Sequence, residues 1–144
     1  MLNRANLLQC AFPSIFSLAG LAYFEIFLFR EGIVFEILFF AAYSVLVLVL
    51  LPMCGNISPG FSFKLCLRAI LLQIVVIYFS NVFVAFVLSL PEFGTSPLPN
   101  ILKFVFLGAL IFTAWRLPFA LAGVLLYCAL LFGILSCSEK VRNK

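Results

Sequence analysis

The stretch Ala69–Leu90, AILLQIVVIYFSNVFVAFVLSL, contains no charged residue, and neither does Leu117–Ser138, LPFALAGVLLYCALLFGILSCS. A helix of roughly 20 mostly apolar residues spans the hydrocarbon core of a bilayer, so each stretch is long enough to cross alone. Outward from these two runs, no interval between Met1 and Ser138 is long and polar enough to cover a water-soluble fold. The chain of 144 residues is 66% hydrophobic and 10% charged, whereas soluble domains are about 45–50% apolar and about 25% charged. A domain this small leaves much of its surface in contact with solvent, so the apolar excess has no core large enough to hide in. Lipid must be the solvent for much of it. Lipid offers the backbone no hydrogen bonds, which leaves helices or a closed barrel. Barrel strands alternate polar and apolar side chains, whereas Ser44–Leu51, SVLVLVLL, is apolar on both alternating sets after its first residue. The sequence therefore predicts an all-α integral membrane helical bundle, a single multi-pass domain over residues 1–144 with four to five transmembrane helices joined by short loops.

The apolar segments fall at about 7–29, 33–53, 65–90, 101–115 and 118–137. Arg30-Glu31-Gly32 separates the first two and reads as a tight helical hairpin, with Gly32 free to take the left-handed turn. Pro52 and the loop 54–60 end the second segment, and Pro91 ends the third. Pro118 suits the first turn of a helix, so Arg116-Leu117-Pro118 reads as a second tight hairpin. A single helix through both of the last segments would be about 60 Å long, twice the hydrocarbon thickness. The N-terminal segment, preceded by Arg4, imitates a signal peptide, but its apolar stretch is long and leads straight into another, so it is read as retained.

Net charge is +4, from nine basic and five acidic residues. The basic residues sit at segment ends and in the tail Glu139–Lys144, which is the pattern of the positive-inside rule and of headgroup contact, not of nucleic-acid binding. Five crossings would divide the basic residues almost evenly between the two sides. If the weak fourth segment does not cross, Arg4, Lys64, Arg68, Lys140, Arg142 and Lys144 share one side, with Arg30 opposite. The sequence thus favours four full crossings with both termini in the cytoplasm of a bacterial-type inner membrane.

The chain has no His and no Asp. That removes His-ligated haem, His-based zinc sites, Ser-His-Asp triads and intramembrane aspartyl chemistry. The five cysteines are odd in number and show no C-x-x-C spacing, so they read as free thiols, although Cys54 and Cys66 bracket one loop. No catalytic residue, metal or cofactor is predicted, and the chain is not expected to be an enzyme.

Six polar residues within or beside the apolar segments are the candidates for function: Glu25, Glu36, Arg30, Gln73, Asn81 and Arg116. Glu25 and Glu36 flank the first hairpin at about five residues from its turn, or ~7–8 Å deep at helical rise. They read either as a paired-carboxylate proton or cation site or, preferentially, as an interfacial cluster with Arg30, for which single replacements are nearly silent. Cys66, Gln73 and Ser80 stand at heptad spacing, with Asn81 beside them. Such a stripe lines a pore or, preferentially, makes interhelical hydrogen bonds. Arg116 reads either as an anion-binding group or, preferentially, as the marker of the second hairpin at an interface. Ala109 with Thr113, and Ala129 with Gly133 and Cys137, form small-residue faces at spacing four, which invite close helix packing.

The expected partners are the lipid bilayer and a protein partner or a second copy docking on the small-residue faces. The expected function is that of a small inner-membrane protein acting through protein or lipid contacts: an accessory, assembly or immunity/exclusion-type component. The alternative is a small oligomeric channel or transporter using the intramembrane carboxylates.

Overall fold

The computed structural model describes residues 7–28, 32–53 and 63–142. Arg30 and Glu31 of the first turn, and Cys54 with the rest of its loop, lie outside these residues. Four helices follow one another. Helix α1, Phe12–Tyr23, is flanked by π-helical turns at Leu7–Ala11 and Phe24–Leu28. Helix α2 is Ile33–Leu50 and continues into a short 3-10 turn, Leu51–Met53. Helix α3 is Phe63–Ser89, closed by a 3-10 turn at Leu90–Glu92. Helix α4 is Leu98–Arg142. The protein is an all-α bundle, and α2, α3 and α4 are each long and apolar enough to cross a membrane; the apolar helix at the N-terminal end, Phe12–Phe27, is shorter. Gly32, at φ 131°, begins α2, a backbone region that residues with a Cβ rarely adopt.

Consecutive helices run antiparallel. Cys10 lies against Val47 and Ser14 against Tyr43, so α2 descends beside α1. Phe16 meets Tyr127 while Phe24 meets Phe119, so α4 also descends beside α1. Asn81 meets Thr113, and Ala69 packs with Tyr127, so α3 rises between them. Leu7 and Arg142 therefore stand at the same end of the bundle.

The second of the two tight hairpins expected in the sequence is absent, and this is the main correction. Residues 101–115 and 118–137 do not form separate helices turning at Arg116-Leu117-Pro118. They are parts of one 45-residue helix that contains Pro118 in its interior. Pro118 removes one backbone donor and crowds the carbonyl four residues earlier, a disturbance that neighbouring helices in a membrane bundle tolerate. Packing explains why the helix continues. Ile101, Val105, Ala109, Thr113, Arg116, Ala120, Val124 and Tyr127 are all buried, at steps of three or four residues that pass through Pro118 without losing phase. A turn at Arg116 would split this stripe.

At 1.5 Å per residue α4 is about 68 Å long, and its neighbours account for its length. The contact of Phe35 with Phe112 sets the start of α2 close to residue 110 of α4. Above that height, among the described residues, α4 packs on α3 through Ala85, Ile101 and Val105. The α3–α4 hairpin thus projects past the α1–α2 hairpin by roughly ten residues, ~15 Å.

The distribution of side chains is inverted relative to a soluble protein. Glu25, Gln73, Ser80, Asn81, Thr113 and Arg116 are buried, while Phe27, Ile33, Phe63 and Val141 are more than 70% exposed. Close approach of α1 and α4 rests on two glycines. A Cβ at Gly20 would run into the Phe119 carbonyl, and one at Gly123 into the Phe16 carbonyl. Of the small faces expected from sequence, Ala109 and Thr113 are buried, whereas Ala129, Gly133 and Cys137 face outward.

Gly123→Leu should therefore force α1 and α4 apart and lower bundle stability by about 1–3 kcal/mol or more, while Gly133→Leu, with open space around it, should change stability by no more than about 0.5 kcal/mol. Thermal unfolding of both variants in mild detergent checks this pair, and equal losses would contradict the packing assigned to Gly123.

Candidate functional site

An arginine within an apolar helix is costly unless its charge and its donors are met by protein. Arg116 is the largest fully buried side chain among the described residues, 1% exposed, and all four helical segments contribute to its surroundings. Its Nε donates to Glu25 Oε1 at 2.6 Å, from the π turn that follows α1. Its Nη1 donates to Asn81 Oδ1 at 2.7 Å, from α3. Asn81 Nδ2 in turn donates to Thr113 Oγ1 at 3.0 Å, and the Thr113 hydroxyl donates to the Ala109 carbonyl at 2.7 Å, within α4.

The guanidinium lies over the faces of three aromatic rings. Its central carbon lies 4.3 Å from the Phe39 ring centroid, 5.0 Å from Phe35 and 5.6 Å from Phe112. Aromatic faces attract a cation, by about 2 kcal/mol or more where water is excluded. Arginine suits this position better than lysine, because its planar, weakly hydrated group can stack and hydrogen-bond at once.

Glu25 reaches Arg116 from a π-helical turn, a local widening that re-aims side chains and occurs often at functional positions. Its second oxygen, Oε2, has no hydrogen-bond partner among the described residues. A buried carboxylate oxygen left in that state is expensive, so this atom is the chemically distinctive point of the network.

A second polar knot lies lower in the bundle and joins three helices. The Tyr43 hydroxyl donates to Gln73 Oε1 and also lies 3.4 Å from the Ser14 carbonyl oxygen. Gln73 Nε2 donates to Ser14 Oγ at 2.9 Å. The Ser80 hydroxyl bonds back to its own helix at Val76, 2.7 Å away, so it contributes nothing between helices.

Of the six candidate residues, the structure brings Glu25, Asn81 and Arg116 together. Gln73 belongs to the second knot. Glu36 lies partly exposed in the first turn of α2, where a carboxylate meets the positive end of the helix; it makes no ion pair with a described residue. Arg30 lies outside the described residues. The reading of Glu25 as an interfacial group is corrected, since it is 1% exposed and paired with Arg116. The reading of Arg116 as the marker of an interfacial turn is corrected for the same reason. Sequence reasoning missed Phe35, Phe39, Phe112, Tyr43 and Ser14. A partner 91 positions away leaves no spacing signal, yet two opposite charges in apolar helices are each other's natural partners.

Among the described residues no three of His, Cys, Asp and Glu converge to hold a metal. The four described cysteines, Cys10, Cys66, Cys128 and Cys137, form no disulfide among the described residues. Comparison with protein-family models, curated proteins and solved structures gives no match, so the site is read from its geometry.

Removing one member of a buried ion pair leaves the other charge uncompensated, which costs about 3–5 kcal/mol, whereas removing both is much milder. Glu25→Leu and Arg116→Leu should each lower bundle stability by about that amount, and the double variant by clearly less than their sum. A double-mutant cycle of unfolding in detergent checks this; additive losses would mean that the two side chains do not interact.

Proposed function

We propose that the chain is a small multi-pass membrane protein that acts through protein or lipid contacts, not through catalysis or conduction. The observation that carries this reading is where the polar groups go. Seven buried polar side chains from α1 to α4 bond one another, in the Glu25–Arg116–Asn81–Thr113 network and the Tyr43–Gln73–Ser14 knot, while Ser80 and Ser89 bond their own helix and Ser17 Oγ has no partner among the described residues. Groups committed to interhelical bonds fix a bundle; a conducting path needs such groups turned toward water. The outer surface, where a partner or lipid must bind, is apolar, with Ala129, Gly133 and Cys137 exposed on α4. An accessory, assembly or immunity/exclusion-type component fits these features.

Among the described residues Lys64, Arg68, Lys140 and Arg142 lie toward one end of the bundle and Lys103 toward the other, with Arg116 buried inside. That asymmetry supports both termini in the cytoplasm of a bacterial-type inner membrane. It is reached by joining the last two segments into one helix, not by making one of them re-entrant.

A second reading, ion or proton movement, is favoured by one observation, the unpartnered Oε2 of Glu25. The readings separate in sealed liposomes containing the purified protein. The contact reading expects no proton or monovalent-cation flux above empty vesicles. Flux that disappears in Glu25→Gln, with the variant inserted at normal levels, would overturn it in favour of transport. Reporter fusions after Lys144 and at Thr95 should report opposite sides of the membrane, cytoplasm for the first; the same side for both would contradict four crossings.

A further inference from the structure

On the outer face of the bundle, away from the Arg116 network, α2, α3 and the upper part of α4 enclose a cleft of about 560 Å³. Its walls include Ala42 and Leu46 from α2, Phe79 and Phe83 from α3, and Leu102 and Phe106 from α4. Every lining residue is Ala, Val, Leu or Phe, so the cleft offers an occupant no hydrogen bond from a side chain. The volume is that of a small-molecule site, yet the polar groups that usually orient a small molecule are missing from it.

The course of the cleft matters as much as its lining. The α2 wall, Ala41–Leu46, lies at the height of the Tyr43–Gln73 contact, well inside the bundle. The α4 wall, Leu102–Phe106, lies above the start of α2, in the projecting part of the α3–α4 hairpin. Along α3 the lining runs from Phe79 to Phe86, ~10 Å of helix, which lies within the half of the ~30 Å hydrocarbon core that the chains of one leaflet fill. At the upper end stands Lys103, exposed, next in sequence to Leu102 and one turn before Phe106. It makes no ion pair with a described residue. An apolar slot with the cation Lys103 beside its upper end matches one molecule: a lipid with a hydrocarbon chain and an anionic head.

We propose that this cleft is a binding site for an anionic phospholipid of the leaflet on the α3–α4 loop side, with one acyl chain against Phe79, Phe83 and Ala42 and the phosphate at Lys103. The proposal rests on the membrane-embedded reading, and not on the identity of any protein partner. A second copy of the chain is a poorer occupant. Helices approach each other over small residues, as α1 and α4 do at Gly20 and Gly123, whereas the cleft's α3 wall carries phenylalanines.

The test reconstitutes the intact protein in bilayers of equal phosphatidylglycerol and phosphatidylethanolamine, extracts it gently, and weighs the retained lipid by native mass spectrometry. The expected result is bound phospholipid enriched in phosphatidylglycerol by roughly fivefold, the bias one basic residue near a headgroup provides. Lys103→Gln, a surface change with no packing to disturb, should return the ratio to that of the bilayer while leaving lipid bound. Ala42→Trp should fill the cleft and reduce total retained lipid several-fold, with helix content checked by circular dichroism. Retained lipid at the bilayer ratio in the wild type, or the same enrichment in Lys103→Gln, would overturn the proposal. So would a lipid-free dimer that Ala42→Trp dissociates. Failure of the protein to insert into the bilayers at all would instead overturn the membrane reading beneath it.

Discussion

A guanidinium ion cannot be left bare in hydrocarbon. Whatever the reference chosen, a central arginine costs at least ~2.5–3.5 kcal/mol and far more on an isolated helix. In this protein the constraint is met by drawing four segments around one side chain. The carboxylate of Glu25 follows α1, the rings of Phe35 and Phe39 come from α2, the amide of Asn81 from α3, and Phe112 and Thr113 flank Arg116 on α4 itself. Apolar helices in lipid have no hydrophobic drive toward one another, so van der Waals packing and polar bonds decide their arrangement. A charge that only this arrangement can satisfy selects one register of the bundle over the many that Leu, Val and Phe surfaces would tolerate. We read the ion pair as a source of specificity more than of net stability, in line with what buried pairs usually contribute.

Much of the fold was legible because it is dictated by solvent. Charge-free runs such as Ala69–Leu90, together with an apolar excess that no small core can absorb, lead to an all-α membrane bundle without any reference to packing. The reading failed where a local rule met a tertiary one. Pro118 beside Arg116 has the local signature of a turn, and a helix of this length looks too long for a bilayer. Both arguments are outweighed by the stripe from Ile101 to Tyr127, which keeps its phase through the proline, and by the α3–α4 hairpin that extends beyond its neighbour. The stripe itself is visible in the sequence, since Ala109, Thr113, Arg116, Ala120 and Val124 follow one another at steps of three and four. Its meaning depends on which helices lie opposite, and sequence spacing does not carry that.

The candidate site was half legible for the same reason. Glu25, Asn81 and Arg116 stand out because ionisable and amide groups are rare in such helices. Their partnership is not written anywhere local, because Glu25 and Arg116 belong to opposite ends of the chain. The phenylalanine cage is invisible in a sequence with 19 phenylalanines. The turn between α1 and α2 suggested pairing Glu25 with Glu36, its neighbour across the hairpin. The fold sends Glu25 inward to α4 and leaves Glu36 at the start of α2. With most of the buried polar side chains bonded inside, what the protein offers its surroundings is a largely apolar surface.

The central claim, that the Arg116 guanidinium is held dry against Glu25 by all four segments, is tested most directly by solid-state NMR in bilayers. The measurement is the dipolar coupling between the 15N-labelled Arg116 guanidinium and the 13C-labelled Glu25 carboxyl, in a sample labelled at those sites. The account expects a strong coupling, corresponding to a nitrogen–carbon distance consistent with the 2.6 Å Nε–Oε1 contact, and no magnetisation transfer from mobile water to the guanidinium. A coupling too weak to detect, with rapid transfer from water, would mean that Arg116 faces a hydrated surface and that the bundle is organised around something else.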